Sequence, residues 1–446
     1  MLREAWTLAI ETLSWIELQR LGEHLALNRA TKQLKIKDPK AIGLAHRLVS
    51  ETLRKKNYLD FLLNSVLAPQ SLNDFKLGAR AFLRLYAYET KQADEDLDNA
   101  VKIAKMGRSI LGWRELEDAE EVLGEILSIN PESALKDLEE TEKVGLQTYH
   151  PTWFVKYCFK LLGRGEAIRF LEKSAEIPPV YVRLNTLKAP EETLLKKLED
   201  EKIVLGKVQQ LKHTYNLIQK NKPLIRTQSF SQGLFYIQDK ASCLAAEIAD
   251  PKSDTTVLDV CAAPGAKTTH LAQLMENRGS IISVDYSKRR IRVWRKETER
   301  MGINIAQSLI ADAKRTIPLN LSADLVILDP PCTSTGTFGK TPGAKWRLTK
   351  RSILGMAKIQ KEMIEQCTEY VKRGGFLVYS TCSITVEENE MVIENFLKRH
   401  PEYKLVDTIP KIGLPGLRGL TKCQRLYPHI HECNGFFVAK LKKENV

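Results

Sequence analysis

The sequence predicts an α/β chain in three parts: an all-helical N-terminal region, a small α+β segment, and a doubly wound sheet with helices on both faces. Three observations carry this. Apolar residues recur at helical spacing through the first third of the chain. Strands and helices alternate steadily from about residue 234 onward. And the apolar run Val257-Leu258-Asp259-Val260 passes at once into Cys261-Ala262-Ala263-Pro264-Gly265-Ala266-Lys267, small residues followed by a helix start. The expected boundaries are 1–148, 149–233 and 234–446.

Composition narrows the class. At 446 residues, 43% hydrophobic and 28% charged, the chain has room for several cores and reads as globular. No apolar run approaches the roughly 18 residues that a membrane span needs. The start, MLREAWTLAIETL, mixes acids among its apolar positions and reads as an amphipathic helix rather than a signal peptide. A net charge of +13 points to a polyanionic partner. Eight cysteines at irregular spacing argue for reduced thiols and a cytoplasmic setting, so a cysteine in a special local context is a candidate for chemistry.

Residues 1 to about 145 read as five or more helices, with apolar stripes at Ala41-Ile42-Leu44-Ala45-Leu48-Val49 and at Leu77, Ala81, Phe82, Leu85 and Tyr86. Pro39, Pro69 and Pro131 punctuate them. Lys32, Lys35, Lys37, Arg54, Lys55 and Lys56 are either phosphate contacts or solvated helix faces. After Tyr149-His150-Pro151 a helical stretch, Trp153 to Lys173, leads into the extended Pro178-Pro179. Val180 to Leu184 alternates like a strand, Glu191 to Glu201 reads as a helix, and Tyr215 to Ile218 is a further apolar piece. In the last part, strands are expected at Ile281–Asp285, Ala323–Asp329, Phe376–Ser380 and Gly435–Leu441. Helices are expected at Lys288–Met301, Ile353–Val371 and Val386–Lys398. Ligands of such sheets sit beyond the carboxyl ends of the strands, at the topological switch point.

The chemistry-bearing residues fall at those ends. In the turn from Cys261 to Lys267, small side chains admit a ligand to the backbone, and the first helical N–H groups favour an anionic group. Pro264 would suit the first helical position. Ala266 rather than glycine directly precedes Lys267 and no glycine stands five residues before it, which excludes a P-loop, and the G-x-G-x-x-G fingerprint is absent. Asp285, about 20 residues after the turn, stands where a carboxylate accepts ribose hydroxyls. Asp312 follows Ser308-Leu309-Ile310, within reach of an adenine amino group, and Asp329 opens Asp329-Pro330-Pro331-Cys332. The two prolines fix a rigid turn. Amino-group methylation of bases uses the same turn with an aromatic fourth residue; here that residue is Cys332. Cys382 ends another strand, in Tyr379-Ser380-Thr381-Cys382-Ser383. Two thiols on one rim suggest covalent catalysis, of the kind carbon-5 methylation of a pyrimidine requires. The alternative is two small buried hydrophobes, the reading given to Cys158, Cys243 and Cys367.

On these motifs the C-terminal two-thirds resembles the S-adenosylmethionine-dependent RNA (cytosine-5) methyltransferases of the Nol1/Nop2/Sun family. The segments are VLDVCAAPGAKTTHL, SVDYSKRRI, DLVILDPPCTSTGT, GGFLVYSTCSITVEENE and RLYPHIHECNGFFVAKL, with VYVRLNTLK and QDKASCLAAE upstream. AHRLVSETLRKKNYLDFLL and ARAFLRLYAYE resemble the NusB-like RNA-binding domain of the bacterial 16S ribosomal RNA members. The resemblance implies a Rossmann-like class I methyltransferase domain, a small α+β (RRM-like) domain and an all-α NusB-like domain. It implies methylation of carbon 5 of a cytosine in RNA, ribosomal rather than transfer RNA, through a cysteine adduct at carbon 6. Cys382 corresponds to the nucleophile and Cys332 to the cysteine that helps release product. Asp329 would orient the cytosine edge near the cofactor. Cys261, Ala262, Ala263, Pro264, Gly265, Ala266 and Lys267 would wrap the methionine end of S-adenosylmethionine, with Asp285 on the ribose and Asp312 on the adenine.

This chain departs from the family pattern twice: Ala266 replaces the second glycine of PGGKT, and Thr333-Ser334-Thr335-Gly336 stands where SGTG is common. Lys340, Lys345, Trp346, Arg347, Lys350 and Arg351 form a basic stretch suited to phosphate contact and base stacking, or to anchoring by Trp346. Cys423, His429, His431 and Cys433 do not follow a zinc-ligand spacing, so no metal is expected. The competing classes are a transfer RNA methyltransferase and a non-catalytic RNA-binding assembly factor. A monomer acting on RNA, away from membranes, is the expected state.

Overall fold

The computed structural model describes residues 1–92, 97–130 and 135–445; Pro131 lies outside them. By internal contacts the chain divides into two units, Met1–Ile177 with Phe338–Arg347, and Pro178–Thr337 with Leu348–Val446.

The first unit is helical, from Leu2–Gln19 to Arg164–Ala175. Its core gathers the stripes read from the sequence: Trp6, Leu48, Val49, Phe82 and Tyr86 lie in one cluster. Asp38 caps Pro39–Arg54 by accepting the Lys40 amide, with proline in the first turn where its missing N–H is harmless. The stretch expected as one helix from Trp153 to Lys173 is two, Thr152–Leu162 and Arg164–Ala175, because Gly163 between them has φ 75°.

The segment Phe338–Arg347 packs into this unit as an anchor. Lys345, 1% exposed, donates to the Arg54 carbonyl at 2.8 Å. Trp346 Nε1 donates to the Leu53 carbonyl at 2.5 Å, and the Gly343 amide donates to Glu23 Oε1 at 2.5 Å. For Trp346 the anchoring reading therefore holds over base stacking, and the reading of Lys345 as a phosphate contact is corrected: a backbone carbonyl already holds each polar tip. Arg54 is equally committed, 6% exposed and donating to the carbonyls of Ala175 and Gly339.

The second unit holds two sheets. The small one contains β1 (Tyr181–Leu184), β2 (Val204–Lys207), β3 (Thr214–Gln219) and β4 (Phe235–Ile237) in the order β2-β3-β1-β4, every pairing antiparallel. Leu194 and Leu198 of the helix Glu191–Asp200 close its core on Val182 and Leu184.

The large sheet holds β5 (Thr256–Val260), β6 (Ser280–Asp285), β7 (Ala306–Ile310), β8 (Ala323–Leu328), β9 (Val371–Thr381), β10 (Tyr403–Val406), β11 (Leu414–Pro415), β12 (Gln424–Leu426) and β13 (Phe436–Lys443). Its order is β11-β12-β13-β9-β8-β5-β6-β7, with β10 on β13. Strands β5 to β9 pair parallel, and β13 joins β9 antiparallel. Helices cover both faces, so β5 and β8 are largely apolar runs, interrupted by Asp259 and Asp324, rather than alternating strands. Leu258, Val260, Val326 and Leu328 point into one core; Val257, Leu325 and Ile327 point into the other.

After β5 the chain moves one way to β6 and β7, then crosses to the other side of β5 for β8. The switch point lies at Val260 and Leu328, where the Asp329 amide donates to the Val260 carbonyl at 3.3 Å. The two sheets of this unit are joined through Arg183 of β1, which is fully buried and, among the described residues, has no carboxylate partner. It donates to Gln238 Oε1 (2.9 Å), Thr269 Oγ1 (2.9 Å) and Gln273 Oε1.

Two helix limits differ from expectation. The helix expected to reach Val371 ends at Cys367, and Val371 opens β9. The helix expected from Val386 starts at Glu390, because Glu388 and Asn389 turn their side chains inward. Among the described residues, no helix is long and apolar enough to cross a membrane.

Candidate active site

The site lies at the carboxyl ends of β5, β6, β8 and β9, and the reason is local. Each strand is buried toward its carboxyl end and stops at a polar or small residue, so the functional groups emerge together where the buried sheet ends.

The turn after β5 is tight. Cys261 (φ 66°) and Gly265 (φ 111°) take left-handed conformations, and a Cβ on Gly265 would come within 3.2 Å of the Trp294 ring. Helix Ala266–Leu274 begins after it, with Gly265 at the N-cap. Ala266 is therefore ordinary helical backbone, and its side chain replaces glycine without strain. Pro264 is not the first helical residue; it lies in the turn, two positions ahead of the helix. Asp259 is buried one residue from the end of β5 and accepts Thr268 Oγ1 at 2.5 Å; burial pushes its carboxyl up to about 7. Trp294 Nε1 in turn donates to Thr268 at 2.9 Å.

Asp285 ends β6 and accepts the amides of Ala263 (3.3 Å) and Ser287 (3.0 Å). Arg290, 44% exposed, pairs with it at 3.3 Å and also donates to the Ala263 carbonyl. Asp312 stands beyond β7, 40% exposed, accepting the Lys314 amide at 3.1 Å. A closely packed small-residue turn, a carboxylate anchored at the next strand end and a half-exposed carboxylate beyond the third fit an adenosyl group with a methionine tail.

Asp329, at the end of β8, accepts Ser380 Oγ at 3.1 Å and pairs with Lys267 at 2.6 Å. Burial opposes the charge on Lys267, but Asp329 outweighs it and leaves the ammonium harder to deprotonate than usual. The sheet brings Cys332 and Cys382, fifty positions apart in sequence, to a sulfur–sulfur distance of 3.2 Å. Ser334 Oγ lies 3.5 Å from the Cys382 sulfur and 3.9 Å from that of Cys332. One sulfur can carry negative charge while the other donates a proton to it. Cys382 is the more readily ionised member: the hydrogen bond from Cys332 lowers its pKa despite burial, with Ser334 and Lys267 adding to the effect. The same hydrogen bond, with burial, pushes the Cys332 thiol up.

Ser334 explains one departure from the family pattern. Its φ is 56°, where glycine is at ease and serine costs about 1 kcal/mol. In return its hydroxyl reaches Cys382. Gly336 is irreplaceable on different grounds: its backbone crosses that of Gly435, and a Cβ there would stand 2.0 Å from the Gly435 carbonyl.

Sequence reasoning missed Ser334, Ser380, Asp259, Thr268, Trp294 and Glu388. Glu388 had a visible signal, an acid-rich turn directly after the Cys382 strand. Cys158, Cys243 and Cys367 are buried, their thiols all pushed up by burial. His431 Nδ1 accepts the Tyr427 amide at 2.9 Å inside the short helix Pro428–His431.

Residues 246–442 match the family described as 16S rRNA methyltransferase RsmB/F. Residues 150–221 match the RsmF/B-like, ferredoxin-like domain, and residues 3–106 match the NusB family. The chain is 30% identical to the "Probable ribosomal RNA small subunit methyltransferase B" of Bacillus subtilis (strain 168), over 98% of each protein. It is 39% identical to the tRNA (cytosine(72)-C(5))-methyltransferase of Pyrococcus horikoshii, over 49% of this chain and 55% of that one. The crystal structure of PH0851 matches with a TM-score of 0.84 and 29% identity over 99% of both chains.

Proposed function

The chain belongs to the 16S rRNA methyltransferase RsmB/F family, S-adenosylmethionine-dependent RNA (cytosine-5) methyltransferases, and from that premise we propose a covalent mechanism in which Cys382 is the nucleophile. The observation that carries it is the Cys332–Cys382 contact of 3.2 Å at the switch point of the sheet. Carbon 5 of cytosine is a poor nucleophile until carbon 6 is substituted. The Cys382 thiolate adds to carbon 6, and the electron pair of the carbon 5–carbon 6 double bond makes carbon 5 electron-rich. Bound S-adenosylmethionine supplies an electrophilic methyl group. A base then takes the proton from carbon 5, the double bond re-forms, and the carbon–sulfur bond breaks as Cys382 leaves as a thiolate. Cys332 assists by donating its proton as a hydrogen bond to the departing sulfur. Asp329, held by Lys267 and Ser380, orients the amino edge of the base. Residues Cys261 to Lys267, Asp285, Asp312 and Asp329 hold the cofactor.

The substrate on this reading is small-subunit ribosomal RNA, with its cytosine unstacked into the site. It is supported by the full-length likeness to the Bacillus subtilis protein. The partition into a helical RNA-binding domain (1–148), a small domain (expected at 149–233, and extended through β4 because Phe235–Ile237 pairs with β1 in the small sheet) and a methyltransferase domain over the rest of 234–446 belongs to the same proposal, as does a monomer working in the cytoplasm. Transfer RNA is the second reading, favoured by the likeness of the catalytic half to the Pyrococcus horikoshii enzyme. Bisulfite sequencing of ribosomal and transfer RNA from a deletion strain decides between them.

Mutation tests the mechanism. Cys382→Ala is expected to abolish both methyl transfer and covalent capture of RNA, and Cys332→Ala to accumulate a protein–RNA adduct on denaturing gels. Turnover by Cys382→Ala would overturn the covalent mechanism.

A further inference from the structure

Glu388 follows the Cys382 strand, touches neither sulfur, and is fully buried. Among the described residues its carboxylate has no cationic hydrogen-bond partner. Instead Oε1 accepts the Thr333 amide (2.8 Å) and Gln360 Nε2 (3.0 Å). Oε2 accepts the hydroxyls of Ser383 (2.7 Å), Thr385 (2.7 Å) and Thr333. Thr333 adjoins Cys332 and Ser383 adjoins Cys382, so a single carboxylate grips both cysteine-bearing loops. The grip is reinforced around it: Gln360 also donates to the Pro331 carbonyl at 2.9 Å, and Tyr379 OH donates to the Glu388 carbonyl at 2.6 Å. Next door, Asn389 accepts Thr381 Oγ1 (2.6 Å) and donates to the Ser383 carbonyl (2.8 Å).

A buried carboxylate without a counter-ion costs several kcal/mol unless hydrogen bonds replace its water. Here the five donors do so. A neutral side chain could tie two loops together at lower cost, so the charge itself needs a reason. Its placement supplies one. The charged and titratable groups that bear on Cys382 are Cys332, Asp329 and Lys267, and those that bear on Cys332 are Cys382 and Glu388. Tyr379, also buried here, is held neutral by its burial. The cation lies toward Cys382 and the uncompensated anion toward Cys332.

We propose that Glu388 is a positioning residue that assigns the roles of the two cysteines: gripping Thr333 and Ser383, it sets their sulfurs in contact and keeps Cys332 the proton donor and Cys382 the thiolate. The proposal rests on the covalent reading for its purpose but not for its test, which needs neither RNA nor turnover.

The test is Glu388→Gln, isosteric and uncharged, with iodoacetamide alkylation of each cysteine followed by peptide mass spectrometry across pH in the RNA-free protein. In the parent, Cys382 is alkylated at lower pH than Cys332. In Glu388→Gln, the midpoint of Cys332 falls by about one pH unit or more and the preference between the sulfurs narrows about tenfold. Methyl transfer then loses kcat with KM for RNA unchanged. If alkylation of both sulfurs is unaltered while kcat falls, Glu388 is merely structural and the proposal is overturned. Glu388→Asp keeps the charge at shorter reach. It is expected to retain the preference for Cys382 even if Glu388→Gln does not fold, and loss of preference in Glu388→Asp overturns the proposal too. Activity of Cys382→Ala would sink the covalent mechanism yet leave these alkylation profiles readable.

Discussion

Gly336→Ala isolates the geometry of the cysteine pair from its chemistry. The Cys332 loop returns to the sheet through Gly336, whose amide donates to the Cys382 carbonyl at 3.0 Å and whose carbonyl accepts the Gly435 amide at 2.8 Å. A methyl group at Gly336 would stand 2.0 Å from the Gly435 carbonyl oxygen, and ordinary contact begins at 3.4 Å. One of the two backbones must therefore yield by about 1.4 Å. Neither can do so as a flexible side chain would, since Gly435 leads directly into the buried strand β13. The Cys332 loop is the part left to move, and with it the 3.2 Å sulfur contact. A displacement of about 1 Å costs on the order of a hundredfold in rate, while overpacking of this kind destabilises by about 1–3 kcal/mol. The assay is single-turnover transfer of labelled methyl groups to RNA, with cofactor affinity by calorimetry and melting temperature as controls. Gly336→Ala is expected to bind the cofactor as the parent does and to lose on the order of a hundredfold in rate. Full activity in a folded Gly336→Ala protein would refute the view that this crossing sets the sulfur geometry.

Two further outcomes follow from the site. Ser334→Gly removes a hydroxyl hydrogen-bonded with Cys382 and relieves a left-handed serine. Relief of about 1 kcal/mol is offset by the greater freedom of an unfolded glycine, so melting should barely change, while Cys382 alkylation moves up by about one pH unit; an unmoved alkylation profile would remove Ser334 from the site. Asp259 sets a pH dependence of stability. Burial raises its carboxyl from 3.8 to about 7, so between those values the folded state binds the extra proton. Stability is then greatest below pH about 4, falls as pH rises toward 7, and levels off above it, the window spanning on the order of 4 kcal/mol for this group alone. Denaturant unfolding at several pH values is expected to show a flatter profile in Asp259→Asn; the same slope in variant and parent would contradict this assignment.

Much of the architecture was legible in the chain itself. Strands β5, β6 and β8 are mostly apolar runs bounded by small or acidic residues, as burial on both faces favours. Asp285, Asp312, Asp329, Cys332 and Cys382 could be placed at strand ends for the same reason. Less legible were limits set by side chains rather than periodicity: Val386 to Asn389 carries a helical pattern, yet the inward Glu388 and Asn389 hold it as a turn. Trp346 and Lys345 show a deeper limit. A basic, aromatic segment suits RNA on composition alone, and only packing reveals that the Leu53 and Arg54 carbonyls satisfy both polar tips.

What the sequence alone determined is therefore the set of reactive groups and the rim on which they stand, because hydrophobic periodicity is local and each strand reports its own end. What only the tertiary structure decided is the division of labour between two cysteines. That depends on a contact of 3.2 Å across fifty residues, a serine in a left-handed turn and a carboxylate that grips both loops. Charge and proton position are set by distances between chain segments, and no spacing along a single segment encodes them.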